Sequence, residues 1–209
     1  MNGKTKIKLI NAFDTAEALQ YVIKTYGAVE GGKQTLGRLA EQMEKGFSKE
    51  FVITRVFDSP RELVFKAWTE PNRIAQWFGP KGVSVKSVKM DLRPGGFLHT
   101  CMATSDGREM WGKWVFREIT QPEKLVYVNS FSDKKGGLTR HPMSPTWPLE
   151  MLTTVILEEK AGKTELTLTR IPINASAEEI ATFEGGMQSM TGGWTGTFDQ
   201  LDGYLLEIA

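Results

Sequence analysis

Residues 162–205 have the sequence GKTELTLTRIPINASAEEIATFEGGMQSMTGGWTGTFDQLDGYL, which predicts a strand followed by a long amphipathic helix. Apolar and polar residues alternate over 164–169, as they do in a half-buried strand. Ser176 with Glu179 three positions later is the capping-box pattern that begins a helix. Apolar residues then recur three or four positions apart and predict one continuous stripe: Ile180, Phe183, Met187, Met190, Trp194, Phe198, Leu201 and Leu205.

The beginning of the chain repeats this pattern. GKTKIKLI at 3–10 parallels GKTELTLT at 162–169, and three further short matches follow in the same order with an offset that stays between 159 and 162. Asp14 with Glu17 repeats the capping box. We therefore expect residues 1–46 to be a partial repeat, a strand plus an amphipathic helix, ahead of a complete module at 47–209.

Between the two copies the pattern is that of an α+β unit. Ser59-Pro60-Arg61-Glu62 predicts a helix with Ser59 as N-cap and Glu62 closing the box, and a short second helix is expected over 72–77. Short turns separate the strands and favour an antiparallel meander whose apolar face the long helix covers. The predicted strands are 51–57, 83–92, 97–104, 109–119, 125–131, 149–159 and 164–171.

Composition excludes several classes of protein. The 209 residues carry 26 basic and 25 acidic side chains, so neither a nucleic-acid surface nor a polybasic membrane anchor is expected. Cys101 is the single cysteine, and His99 and His141 are the only histidines, so we expect no intramolecular disulfide, no metal site and no cofactor. No apolar run is long enough for a membrane helix, and the N-terminus lacks a signal-peptide pattern. We expect a cytoplasmic protein without membrane insertion.

A resemblance to a known family rests on four segments and the final helix. The segments are FVITRVFDSPRELVFKAWTEPNRIAQWFGPKG at 51–82, DLRPGG at 91–96, PEKLVYVNSF at 122–131 and VILEEKAGKTELTLT at 155–169. Together they resemble the stand-alone bacterial relatives of the Hsp90-ATPase activator C-terminal domain, in the START/Bet v 1-like (SRPBCC) superfamily. The resemblance implies a helix-grip fold, in which a curved antiparallel sheet wraps around the C-terminal helix and leaves a cavity. It brings no catalytic motif, and fold alone does not assign function.

No catalytic constellation is visible in the sequence either, and we expect no catalytic residue. Nucleophile-elbow, zinc-protease, Walker and Rossmann patterns are all lacking. His99 and Cys101 share a strand face, but side chains two positions apart point in parallel, which suits lining a cavity better than direct proton transfer.

The aromatic and methionine residues indicate a cavity, and our candidate ligand-binding residues are His99, Trp111, Tyr127, Met187, Met190 and Trp194. Five glycines inside the predicted helix suggest that it is thinned, kinked or closely approached there: Gly185, Gly186, Gly192, Gly193 and Gly196. The loop 132–148 is either a lid over the cavity or an ordinary surface loop.

Three functions remain open at this stage. The first is non-catalytic binding of a small apolar or amphipathic ligand between sheet and helix. The second is a protein partner, an Hsp90-type chaperone, which the resemblance implies. The third is a cyclase- or hydrolase-like enzyme that uses a cavity carboxylate or His, as some relatives do.

The partial repeat needs a partner, because an isolated amphipathic stripe is not stable alone. Its natural groove is already filled by residues 164–208, so residues 1–46 are expected to dock elsewhere. We expect a homodimer formed through residues 1–46. The alternatives are docking beside their own module, or a degenerate tail left by a truncated tandem gene.

Overall fold

The structure of the protein is a computed structural model that describes residues 8, 10–44 and 48–208, with the backbone alone for 40–44. It divides the chain into two units, Met1–Phe47 and Ser48–Ala209. No helix in these described stretches is both long enough and apolar enough to cross a bilayer.

The first unit contains two helices, α1 (Ala16–Tyr26) and α2 (Ala28–Glu44). We predicted a single helix with Asp14 as its cap, and both details are wrong. The N-cap is Thr15, whose hydroxyl accepts a hydrogen bond from the amide of Ala18 at 3.1 Å. Gly27 adopts a left-handed conformation with φ 58° and ends α1, because glycine has no Cβ to oppose that geometry. The strand expected over 3–10 lies almost wholly outside the described residues.

The second unit is a mixed α+β fold. Helices α3 (Arg61–Thr69) and α4 (Pro71–Trp77) follow the first strand, and α5 (Ala177–Gly185) and α6 (Met187–Glu207) end the chain. Its strands are β1 (Phe51–Phe57), β2 (Val83–Met90), β3 (Phe97–Thr104), β4 (Glu109–Thr120), β5 (Lys124–Ser132), β6 (Leu138–Thr139), β7 (Glu150–Lys160) and β8 (Lys163–Ile173). The elements of this unit were predicted within a few residues, except that β6 was not predicted and that α5 and α6 were predicted as one continuous helix.

All strands pair antiparallel in one curled sheet of order β1-β8-β7-β5-β4-β3-β2, with β6 paired to β5. Register shifts between Val85 and Ser87 and between Phe116 and Glu118 interrupt the ladders, and such irregularities increase local bending. The sheet forms a half-barrel against which α6 packs, so the predicted α+β class and helix-grip arrangement are confirmed.

The start of α3 differs from its prediction. Ser59 does not cap the helix with its side chain, and Pro60 occupies the N-cap position. Instead the carboxylate of Glu159, at the end of β7, accepts a hydrogen bond from the Arg61 amide at 2.7 Å. Ser59 is buried, and its carbonyl accepts a hydrogen bond from the Thr164 hydroxyl at 2.6 Å. The cap therefore comes from a residue distant in sequence, which local patterning does not reveal.

The residues predicted to form one C-terminal helix instead form two helices, α5 and α6, which meet at Gly186. The capping box of Ser176 and Glu179 is present and confirmed. A Cβ on Gly186 would lie 2.8 Å from the Trp147 ring, so this glycine permits a close approach by the loop 132–148. The prediction of a close approach within the glycine run is confirmed at this position.

The core lies between the sheet and helices α3, α4 and α6. Phe198, Leu201 and Leu205 of α6 are almost fully buried. Phe198 packs edge-on against Phe57 of β1, with ring centroids 6.0 Å apart. Trp68 of α3 is fully buried. This packing anchors the second half of α6 and leaves its first half facing the remaining concave surface.

Candidate ligand-binding cavity

A cavity of about 490 Å³ lies between the sheet and the junction of α5 and α6. Small-molecule sites usually occupy ~300–1,000 Å³, so the volume suits a compact organic ligand. Much of its wall is apolar, including Met102, Trp114, Trp147, Met151, Met190 and Trp194. Polar residues also reach the wall, among them Thr100, Asn129, Arg170 and Thr182.

Aromatic packing makes one wall rigid. The Trp114 and Tyr127 rings stack with centroids 4.1 Å apart and an angle of 13° between their planes. The Trp194 ring stacks on the Trp68 ring with their centroids 6.3 Å apart. It also packs against the Phe198 ring, with centroids 5.5 Å apart. Because these rings hold one another in place, this part of the cavity is preformed.

Arg170 is the charged residue of this wall, and it is held by neutral groups. Its Nε donates a hydrogen bond to the Thr153 hydroxyl at 3.2 Å, and that hydroxyl donates to Oδ1 of Asn129 at 2.8 Å. The guanidinium carbon lies 5.6 Å from the centroid of the Trp194 ring, in cation–π range. It forms no ion pair with any carboxylate that the structure describes. Burial lowers the pKa of Arg170 to about 10, so it remains a cation at neutral pH.

Tyr127 adds a second polar group to the same wall. The residue is 1% exposed, and its hydroxyl has no hydrogen-bond partner among the described residues. Burial raises the pKa of this phenol well above its ordinary value, while the nearby Arg170 charge acts in the opposite direction. Tyr127 therefore stays protonated, and its hydroxyl is a buried hydrogen-bond donor without an acceptor among the described residues.

The loop 132–148 borders the cavity beside α5. The Trp147 ring lies against Gly186, and the Thr182 hydroxyl donates a hydrogen bond to that of Thr146 at 3.0 Å. Arg140 pairs with Glu179 of the capping box. These contacts attach the loop to the helix, so its position is coupled to the α5–α6 junction.

His141 also lines the cavity. Its ring packs edge-on against Phe131 at 4.6 Å, and Nδ1 accepts a hydrogen bond from the Met143 amide at 3.0 Å. Burial lowers its pKa, which favours the neutral imidazole near neutral pH.

Four of the six candidate ligand-binding residues border the cavity: Trp111, Tyr127, Met190 and Trp194. Met187 packs against the core and is not part of the lining. His99 is also absent from the lining, whereas its neighbour Thr100 is present. The strand parity guessed for His99 is therefore wrong. The parity of Trp111 is wrong for the same reason: it is paired with Cys101, and its ring lies 4.9 Å from the His99 ring, so its side chain leaves the sheet on the His99 face although the residue borders the cavity. A role in ligand binding stays a prediction for the four that border the cavity.

His99 and Cys101 do not form a reactive pair in the structure. Nε2 of His99 lies 3.2 Å from the Ser132 hydroxyl and 3.1 Å from the Asp133 carbonyl oxygen. Cys101 is buried, and that burial raises the pKa of its thiol. The unreactive thiol form is thus favoured at neutral pH. Within the described parts of the chain, no cluster of three or more His, Cys, Asp or Glu residues is arranged to hold a metal ion.

Arg170 is one of the cavity residues that we did not predict, although the sequence contains a signal for it. Leu166 and Leu168 are inward residues of β8, and both are fully buried. Position 170 has the same parity, so the alternation itself places an arginine on the apolar side of the sheet.

Together these observations define a helix-grip protein with a preformed, mainly apolar cavity beside its C-terminal helices. Comparison with family models gives a match over residues 58–206 to the family described as Activator of Hsp90 ATPase homolog 1-like protein. The chain belongs to this family.

Solved structures from three bacteria are similar to this chain. A protein from Nitrosomonas europaea is 24% identical, with a TM-score of 0.60, covering 76% of this chain and 94% of its own. One from Arthrobacter aurescens is 24% identical, with a TM-score of 0.63 and coverages of 77% and 87%. One from Staphylococcus epidermidis is 26% identical, with a TM-score of 0.56 and coverages of 78% and 95%. A comparison with curated proteins gave no match.

Proposed function

We propose that this protein binds a small apolar or amphipathic molecule, without catalysis, in the cavity between the sheet and its C-terminal helices. The observation that carries the proposal is the cavity of about 490 Å³ with its preformed aromatic wall. An apolar ligand that enters it is removed from water at ~25 cal/mol per Å² of buried apolar surface. The rigid rings reduce the ordering cost of binding.

The experiment is a titration of the full chain with N-phenylnaphthylamine, a neutral dye that fluoresces when its surroundings are apolar. The matched variants are Met190→Trp, which fills the cavity from α6, and Gln188→Trp, which adds the same ring at an exposed position of that helix. The dye is excited outside the tryptophan absorption band, so the added indoles do not distort the signal.

We expect saturable dye binding to the wild-type protein and to Gln188→Trp. Met190→Trp is expected to weaken it by about tenfold or more, because an indole occupies volume that the dye needs. Equal binding by all three proteins would place the dye outside the cavity, and no binding by the wild-type protein would refute the proposal. Native mass spectrometry of the protein as purified, followed by denaturing extraction, identifies any ligand that is retained.

A chaperone partner is the second candidate, and the family match over residues 58–206 favours it. Its test is co-precipitation of the full chain with a purified Hsp90-type chaperone, with and without ATP. Dye binding without chaperone retention supports the cavity proposal, and the reverse outcome supports the chaperone.

A further inference from the structure

The polar groups of the cavity are arranged in a row across three neighbouring strands. Tyr127 of β5 is directly opposite Thr153 of β7, and Thr153 is directly opposite Arg170 of β8. Directly paired residues of antiparallel strands point to the same face, and neighbouring strands are ~4.8 Å apart. The backbones of Tyr127 and Arg170 are therefore separated by about 10 Å, and both side chains leave the same face of the sheet.

This row of polar side chains reduces the stability of the folded protein if it serves only for packing. Arg170 is half-buried, and a cation partly removed from water without a counter-ion reduces stability, as does a buried hydroxyl without a partner. Among the described residues, Arg170 has neutral neighbours and Tyr127 has no hydrogen-bond acceptor. Leucine and phenylalanine at these positions would avoid both costs, as Leu166 and Leu168 do on the same strand.

The Arg170 guanidinium is nonetheless held in a fixed place. Its Nε is bound by Thr153, which is itself bound to Asn129, and its plane lies near Trp194. Its terminal Nη groups have no acceptor in the described part of the chain and are not sealed from the cavity. An oriented, unpaired guanidinium fork, in the same row as an unsatisfied hydroxyl, is suited to a planar oxyanion.

We propose that the ligand of this cavity is an amphipathic carboxylate, whose acidic group binds Arg170 and Tyr127 while its apolar body lies against Trp194 and the methionines. This rests on the proposed function of the cavity. A single negative charge is favoured over a phosphate dianion, because Arg170 is the one permanent cation among the described lining residues. His141, the other basic group there, is driven towards its neutral form by burial.

The test compares decanoate with decanol as competitors of bound N-phenylnaphthylamine at pH 7.5. The two molecules share one chain length, and they differ at the group that would meet Arg170. The variant is Arg170→Met, which keeps an unbranched apolar side chain. Its control is Arg117→Met, which removes the same charge from an exposed position outside the cavity.

We expect Arg170→Met to lower the affinity for decanoate by about tenfold or more, since hydrogen bonds to charged groups are the stronger class. Affinity for decanol is expected to change less than about twofold, and Arg117→Met to leave both competitors unaffected. Tyr127→Phe is the second variant, and it is expected to weaken decanoate by about three- to tenfold without weakening decanol.

The possible failures are distinguishable. If the dye binds but Arg170→Met changes decanoate and decanol equally, the carboxylate inference is wrong and the cavity proposal stands. If the dye does not bind the wild-type protein at all, both are wrong. Should circular dichroism show that Arg170→Met is unfolded, Tyr127→Phe decides the question, and an unchanged decanoate affinity in that variant overturns the inference.

Discussion

Tyr127→Phe is expected to stabilise this protein, although removing a buried tyrosine hydroxyl usually destabilises a fold. The ordinary loss arises because such hydroxyls are hydrogen-bonded. Here the hydroxyl is buried and has no partner among the described residues, while the ring stacks on Trp114 at 4.1 Å. Phenylalanine keeps the ring and its stacking, so the variant removes the unsatisfied group alone.

The size of the effect follows from the desolvation cost of that group. A buried polar group left without a hydrogen bond costs ~1–3 kcal/mol. We take the lower end of this range and expect the free energy of unfolding of the ligand-free protein to increase by about 1 kcal/mol. For a chain of this size, that corresponds to a rise in Tm of ~2–4 °C.

The assay is thermal and urea unfolding of the ligand-free full chain, followed by circular dichroism. Tyr204→Phe is the matched control, because the Tyr204 hydroxyl accepts a hydrogen bond from Nη1 of Arg73 at 3.3 Å. Loss of that bond is expected to reduce the free energy of unfolding by ~0.5–1 kcal/mol. The two substitutions are chemically identical and are predicted to have opposite signs.

A decrease of about 1 kcal/mol or more for Tyr127→Phe would refute this reasoning, because it would mean that the hydroxyl is satisfied in the folded protein. The same result would weaken the assignment of Tyr127 as a free donor for a carboxylate. If both variants change the free energy of unfolding by the same amount in the same direction, the hydrogen bonding of the two hydroxyls does not determine their effect on stability.

Three other predictions concern the architecture. Gly186→Ala should reduce the free energy of unfolding by ~1–3 kcal/mol in urea titrations, because the new Cβ would lie 2.8 Å from Trp147. Gly185→Ala is the control and should not be destabilising, because a Cβ at that position has no neighbouring atom within 4 Å. Glu159→Ala should destabilise by ~1 kcal/mol in the same assay, since it removes the acceptor of the first amide of α3, and an unchanged midpoint would contradict that role. Light scattering should find a dimer for the full chain and a monomer after deletion of residues 1–46. The same assembly state for both proteins would refute a dimer formed through residues 1–46.

Local sequence patterns were sufficient for most elements of the second unit. Alternation at period two located β8, turn signals separated the strands that follow α4, and the Ser176–Glu179 capping box located the start of α5. These signals are short-range, because backbone geometry determines which residues share a face and which side chain reaches an amide three residues ahead.

Several of the predictions that failed depended on distant residues. Ser59 had the local pattern of an N-cap, but Glu159 from β7 supplies that hydrogen bond. The strand parity chosen for His99 was wrong by one position, and a shift of one residue moves a side chain to the other face. The residues adjacent to Ser59 and His99 in sequence do not show which distant residue caps the helix or which face of the sheet His99 occupies.

The sequence pattern by itself determined the α+β class, the antiparallel meander and an apolar set of residues on the C-terminal helices, and the family resemblance implied the helix-grip arrangement. Only the tertiary structure decided that Tyr127, Thr153 and Arg170 form one row, and that Trp147 closes against Gly186. The reason is that secondary structure follows from periodicity within a dozen residues. A cavity and its unpaired polar groups instead depend on the register of strands that are far apart in the chain.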